Sequence, residues 1–86
     1  MTAMRVRPDG PVRPWTNLGS WCRDFVVGWR GRQYLVKVSW NAARRYPPLV
    51  YNLASRREMK PGSKAYARFA EELFQVLDDE DLEAAA

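Results

Sequence analysis

The sequence predicts an α+β fold: a three-stranded antiparallel sheet (a β-hairpin plus a third strand), with a C-terminal amphipathic helix packed on one face and an extended N-terminal arm. Two patterns predict it. Residues 21–40 alternate between apolar and polar side chains on both sides of a short turn. Residues 66–77 place apolar side chains three and four positions apart, as on one stripe of a helix. We expect an arm over 1–20, a single β-β-β-α domain over 21–77 and an acidic, frayed tail over 78–86.

The hairpin turns at Arg30-Gly31, where glycine supplies the positive φ that a two-residue turn requires. The alternation fixes a register in which the numbers of paired residues sum to 61. This register pairs Trp29 with Arg32, Val27 with Tyr34, Phe25 with Val36, Val26 with Leu35, Asp24 with Lys37 and Trp21 with Trp40. It brings the apolar residues to one side of the ribbon and matches an opposite-charge pair on the other, which is worth some tenths of a kcal/mol up to about 1.

The third strand is predicted over residues 49–55, where apolar and polar positions alternate again after a proline-containing connection, 41–48. A short helix that starts at Pro47-Pro48 is the alternative, since proline is tolerated in a first helical turn. Residues 7–15 hold three prolines and a glycine, so we expect the arm to be extended, adding a strand or lying over a sheet edge.

The C-terminal helix is predicted to follow Ser63, a residue type that caps helix N-termini. Its apolar stripe consists of Tyr66, Phe69, Ala70, Leu73, Phe74 and Leu77. The run of acidic residues from Asp78 opposes the helix dipole, which favours cations at a C-terminus. We therefore expect the helix to fray from Asp78.

Most aromatic residues are predicted to be core, because the helix stripe needs an apolar surface. The only continuous one is the ribbon face that carries Phe25, Val27, Tyr34, Val36 and Val38. The opposite face, with Cys22, Asp24, Gln33, Lys37 and Ser39, is expected to be too polar to bury. Trp29, beside the turn arginines, and Trp15, in the arm, have the weakest claim to the core.

Length and composition predict one intracellular domain. The 86 residues suffice for a single core, and one cysteine, Cys22, excludes an internal disulfide. The N-terminal residues lack the apolar segment of a signal peptide, and no apolar run approaches the ~18 residues of a membrane helix. We expect a cytoplasmic protein without membrane association.

Charge is divided sharply along the chain, whose net charge is +4. Residues 1–68 hold all 14 basic residues and three acidic ones, a balance of +11, whereas residues 69–86 hold seven acidic residues and no basic one, a balance of −7. Such a charge distribution indicates which kinds of partner the protein can bind, and says nothing about its fold. It is also what an arginine-rich composition with a solubilising acidic tail would give.

Catalytic equipment is sparse. The chain has no histidine, the usual acid–base residue near neutral pH, and so none to activate Cys22. Ser63-Lys64 fits a helix cap better than a nucleophile, and the acidic run 78–83 lacks the spacing and glycine of a calcium loop. The stretch 61–64 lacks the second glycine and the residue order of a phosphate-binding loop. We expect a non-enzymatic protein without cofactor or metal.

The basic residues carry the main functional prediction. Arginine bonds phosphate in a bidentate manner and stacks on bases, and tryptophan offers a stacking face. We expect a small binding module that contacts DNA or RNA through an arginine- and tryptophan-rich surface at the sheet ends. The candidate residues are Trp29, Arg30, Arg32, Arg44, Arg45, Arg56 and Arg57. Strand order decides whether the turn arginines share a sheet end with Arg44 and Arg45 or with Arg56 and Arg57.

The alternative is a small inhibitor or adaptor of the phage or mobile-element kind. It would bind a protein complex, such as a host defence or nucleic-acid-processing assembly, through its separate basic and acidic patches. A homodimer through an unpaired sheet edge is a further expectation.

The order of three antiparallel strands and a C-terminal helix resembles the topology of AP2-type DNA-binding domains. That resemblance implies a sheet that enters the major groove with arginine and tryptophan side chains. The same order also resembles the second half of a double-stranded-RNA-binding domain. Neither resemblance extends to an aligned motif, so no family is identified.

Overall fold

The computed structural model describes residues 3–15 and 19–80, which form one antiparallel sheet and one helix. The elements are β1 (Arg5–Pro8), β2 (Arg13–Pro14), β3 (Trp21–Trp29), β4 (Arg32–Trp40), β5 (Leu49–Asn52) and α1 (Lys64–Glu80). The sheet order is β1-β3-β4-β5, and β2 also pairs with β3. The α+β class and the C-terminal helix are confirmed. The sheet has five strands because the arm supplies β1 and β2.

The central hairpin has the predicted register. Trp29 pairs with Arg32, Asp24 with Lys37 and Trp21 with Trp40, so every pair sums to 61. Both turn residues have positive φ, 51° at Arg30 and 76° at Gly31, as a type I′ turn requires. The hairpin therefore follows from local alternation and turn chemistry alone.

The third predicted strand is confirmed as β5, which ends at Asn52 rather than at residue 55. The Asn52 side chain accepts hydrogen bonds from the backbone N–H groups of Ala54 and Ser55, so the chain turns there instead of extending. It then returns along the outer edge of β5, where Met59 N–H donates to Val50 O and Asn52 N–H donates to Arg57 O. This return leaves β1, with the two-residue β2 beside it, as the open edge of the sheet.

A homodimer through a sheet edge stays a prediction, and among the described strands β1 is the edge it would use. β1 is four residues long and carries Arg5, Arg7 and Pro8. Short length, repeated charge and proline are features by which edge strands resist pairing with another chain. We therefore expect such a dimer to be weak.

The helix covers one face of the sheet and buries the predicted stripe. Tyr66, Phe69, Leu73 and Leu77 are buried, and Ala70 and Phe74 pack partly against the same core. Ser63 is the N-cap: its Oγ accepts from the Tyr66 N–H and its carbonyl from the Ala67 N–H.

The helix continues past Asp78 to Glu80, and fraying of this end stays a prediction. The Asp78 carboxylate, expected to destabilise the helix end, pairs with the Arg45 guanidinium at 2.5 Å. One turn earlier, the Gln75 side chain donates to Asp79 at 3.1 Å. These contacts offset the unfavourable dipole term through the last described turn. Residues 81–86 of the predicted tail lie outside the described residues. None of the described helices is both long and apolar enough to cross a membrane.

Trp29 lies in the hydrophobic core, so the prediction that it was among the aromatic residues least suited to the core is wrong. It is 6% exposed and packs edge-on against Phe69, with ring centroids 5.1 Å apart. Its indole N–H donates to the Glu72 carboxylate at 3.1 Å. Trp29 is buried because the first half of α1 packs beside it and provides both an apolar neighbour and an acceptor.

The sheet face away from the helix is uncovered only in part. Cys22 and Ser39 are 2% and 4% exposed, so the expectation that this face is too polar to bury is wrong at that end. The Trp15 and Tyr46 rings pack together there at 5.3 Å, and β2 borders Cys22. Cys22 and Ser39 have small side chains, whose burial costs less than that of the charged residues on the same face.

Candidate nucleic-acid interface

Antiparallel strand order brings four of the predicted arginines to one end of the sheet. β4 starts at Arg32, directly after the hairpin turn, and β5 pairs with it so that Asn52 lies opposite Tyr34. The loop after β5 therefore lies beside the hairpin turn. We call Arg30, Arg32, Arg56 and Arg57 the tip cluster.

Arg44 and Arg45 do not join the tip cluster. They follow β4, whose nine residues place them about 25 Å away at ~3.3 Å per residue. The Arg44 guanidinium lies 4.7 Å above the Tyr46 ring. Arg45 pairs with Asp78 and lies 5.0 Å from the Phe74 ring, so its contacts are those of a residue that ties the 41–48 connection to the helix.

Two tip-cluster residues adopt a backbone conformation that their side chains disfavour. Arg30 has φ of 51° and Arg56 has φ of 60°, and no other described residue besides glycine has positive φ. A residue with a Cβ loses on the order of 1–2 kcal/mol in this region, which glycine and asparagine enter far more readily. At these two positions arginine is therefore less stable in the local backbone conformation than glycine or asparagine would be.

The tip cluster borders an open cleft of about 480 Å³, here called the tip cleft. Arg30, Arg32 and Arg57 line it, and Glu58 is the one acidic lining residue among those that the structure describes. Its other lining residues are Trp29, Tyr34, Asn52, Ser55, Met59 and Ala65. The lining charge is therefore +2. Within residues 3–15 and 19–80 none of the three arginines forms an ion pair, so their charges are free for a ligand.

A second depression, of about 520 Å³, adjoins the tip cleft and shares Arg30 and Ala65 with it. Lys64 and Arg68, from the first turns of α1, line this depression together with Glu71. Arg30 thus stands between two basic recesses. Together they form a path from the loop after β5 to the start of the helix.

Trp29 does not present an open stacking face in this structure, and its predicted stacking role stays a prediction. The Arg30 guanidinium lies 4.5 Å from the centroid of its ring, and Phe69 and Tyr34 pack edge-on against it. A base would have to displace Arg30 to reach the indole. The role that the contacts do support is positional, since Trp29 supports the Arg30 side chain through a cation–π contact.

The predicted site left out several residues that the structure places on the uncovered sheet face or in the tip cleft. Arg5, Arg7 and Lys37 lie on the uncovered sheet face, because their paired residues Gly28, Val26 and Asp24 alternate with the buried ones. Tyr34 lines the tip cleft, and so does Ala65 in the first helical turn. The two arm arginines could have been found by reading alternation through 5–8, where Val6 is partly buried between exposed neighbours.

The pKa values of Arg13 and Tyr66 are clearly shifted, and neither residue lines the tip cleft. The Asp24 carboxylate, through a hydrogen bond and its charge, raises the pKa of Arg13, with which it pairs at 3.1 Å. Burial, with a smaller effect of the Glu58 charge, raises the pKa of Tyr66. In the described part of the chain, no three histidine, cysteine or carboxylate side chains are close enough to form a metal site.

Comparison with known proteins adds no family. No family model matches the chain, and no curated protein or solved structure matches it either. The topological resemblance to nucleic-acid-binding domains therefore gains no support from these comparisons, and function has to be argued from the surface itself.

Proposed function

We propose that this protein is a non-enzymatic binding module that contacts nucleic acid through its tip cluster. The observation that carries the proposal is the convergence of Arg30, Arg32 and Arg57 on one cleft with no ion pair among the described residues. Arg56 follows on the adjoining loop. Phosphate contacts by such arginines supply most of the affinity of sequence-independent binding.

The expected salt dependence follows from the size of the cluster. Four neutralised phosphates give a slope of log K against log salt of about −3.6 on duplex DNA and about −2.8 on a single strand. Between about 50 and 200 mM salt the affinity should therefore fall by roughly 50- to 150-fold. A slope near zero would exclude phosphate contact as the source of binding.

The experiment is binding to labelled single- and double-stranded DNA and RNA over that salt range. The test variant is Arg32→Glu/Arg57→Glu, and the matched control is Arg7→Glu/Lys37→Glu, which makes the same charge change on the uncovered sheet face. We expect the test variant to lose nearly all binding. The control should lose only the contribution of long-range electrostatic attraction to the affinity. Equal losses in both variants would assign binding to net charge and refute the tip cluster as a site. No binding by the native chain at low salt would end the nucleic-acid proposal.

A protein partner is the second candidate, and one observation favours it. Leu49, Tyr51 and Leu53 are 39%, 39% and 43% exposed along one segment. Exposed apolar side chains in a row are typical of protein contact surfaces. A phage- or mobile-element-type inhibitor or adaptor would use this segment together with the acidic end of α1. A Leu49→Ser/Leu53→Ser variant that loses capture of a defined protein complex, while nucleic-acid binding is absent, would favour it.

A further inference from the structure

We propose that the tip cleft is a specific site for one phosphate group. The ligands are the guanidinium groups of Arg30, Arg32 and Arg57, the Tyr34 hydroxyl and the free amides at the start of α1. The inference rests on the proposed function for its ligand, a phosphate of a nucleic-acid strand. It goes further than the proposed function, for which surface charge alone would suffice. It assigns a defined pocket in which neutral hydrogen-bond donors also contact the phosphate.

Tyr34 supplies the observation that points to a ligand. It is 5% exposed, and its ring packs against Trp29 and Phe69. Among the described residues its hydroxyl has no hydrogen-bond partner, although buried polar groups nearly always have one. Tyr34 lines the tip cleft, so a phosphate oxygen in the cleft would supply the missing acceptor. Tyr66, in contrast, donates its hydroxyl to Pro48 O at 2.6 Å.

The start of the helix is the second, independent observation. Ala65 lines the cleft, and the first turn of α1 contains no acidic residue. Ser63 satisfies the Tyr66 and Ala67 amides, whereas those of Lys64 and Ala65 donate to no described group. Unsatisfied amides and the positive end of the helix dipole together form an anion site.

The donor set suits a phosphate better than a carboxylate. Three guanidinium groups, a phenol and backbone amides provide donors from the hairpin, the loop after β5 and the helix. A phosphate has more acceptor oxygens than a carboxylate and distributes them tetrahedrally, so it can bond donors on several sides at once. Glu58 has the wrong sign for an anion, but three arginines outweigh it.

The first test uses inorganic phosphate and ¹⁵N NMR of the full chain. The Trp29 indole N–H and the Lys64 and Ala65 amides report on the cleft. We expect phosphate to shift these resonances in a saturable manner. Tyr34→Phe removes only the unpaired hydroxyl, so it should leave the melting temperature unchanged or slightly raised while weakening phosphate binding about tenfold or more.

Tyr66→Phe is the matched control, since it also removes the hydroxyl of one buried tyrosine. Its hydroxyl bonds Pro48 outside the cleft lining, so this variant should lose stability and keep its phosphate affinity. The absence of saturable shifts in the native chain would overturn the inference. So would equal phosphate affinity in Tyr34→Phe and the native chain.

The second test identifies the source of the phosphate. Oligonucleotides with a 5′-phosphate are compared with the same strands carrying a 5′-hydroxyl. Preference for the former assigns the site to a strand end, and equal binding assigns it to an internal phosphodiester; Tyr34→Phe must weaken whichever mode is seen. Oligonucleotide binding that depends on Arg32 and Arg57 but not on Tyr34 overturns the inference and leaves the proposed function standing. Phosphate binding without oligonucleotide binding refutes the proposed function and leaves the phosphate site standing.

Discussion

Replacing Arg30 by asparagine should make the protein more stable and a weaker binder. Arg30 occupies the first central position of the type I′ turn with φ of 51°. Asparagine followed by glycine is the pair this turn favours most, since both central residues need positive φ. Arg30→Asn therefore removes a backbone cost on the order of 1–2 kcal/mol.

The substitution also removes a favourable contact. The Arg30 guanidinium lies 4.5 Å from the Trp29 ring, and a cation–π contact at an exposed site is worth about 0.5–1 kcal/mol. The net gain should be about 0.5–1 kcal/mol. For a domain of this size that corresponds to a rise in melting temperature of about 2 to 8 °C.

Thermal unfolding of Arg30→Asn beside Arg30→Lys measures the first half of the prediction. Arg30→Lys keeps the charge but does not relieve the backbone strain, so the melting temperature of this variant should not rise. Binding measured over the same salt series should show a slope lower by about 0.7 to 0.9 for Arg30→Asn, as one phosphate contact is lost. A lower melting temperature for Arg30→Asn would refute the claim that the turn is strained. An unchanged slope would remove Arg30 from the site.

Three further substitutions test the core, a buried hydroxyl and the helix end. Phe69→Ala should cost about 3 to 5 kcal/mol in the free energy of unfolding, because its ring is fully buried; unchanged melting would contradict the packing of α1. Tyr66→Phe should cost about 1 kcal/mol by leaving Pro48 O unpaired. Burial raises the Tyr66 pKa above its ordinary 10.0, so the unfolded state ionises first and native stability falls as pH rises above that value. Tyr66→Phe should lose this component of the alkaline decline in urea titrations at stepped pH. Asp78→Asn should cost less than about 1 kcal/mol, since the pair with Arg45 is partly exposed, but amide exchange in the last helical turn should quicken.

The hairpin, the third strand and the helix were predictable because each follows from a local rule. Period-2 alternation about Arg30-Gly31 fixed all nine pairs of β3 and β4. Ser63 and a stripe at helical spacing located the start of α1. The arm was harder, because its prolines suggest a loop. Pro8 and Pro14 lie in short strands at the sheet edge, where a missing N–H costs little.

The site was predictable only in its residue types. Which arginines meet depends on the position of β5 in the sheet, and alternation carries no information on strand order. The burial of Trp29 depends on Glu72, 43 residues further along the chain, which accepts its indole N–H. No local pattern reports a contact of that range. The unpaired Tyr34 hydroxyl is likewise visible only after packing.

Three local departures from what folding alone favours coincide at one end of this molecule. Arg30 and Arg56 hold left-handed backbone conformations, the hydroxyl of the buried residue Tyr34 has no described partner, and α1 starts without an acidic residue. An arginine-rich composition accounts for arginines on a surface, but not for an unpaired phenol or for arginine where asparagine or glycine fits better. Such departures cluster at functional sites, where the residues are selected for ligand binding as well as for folding. One phosphate at the tip cleft would relieve two of the three, since it accepts from the phenol and lies at the helix dipole. It would also give Arg30, the strained arginine that lines the cleft, a partner. A single anion is therefore the most economical explanation of the cleft.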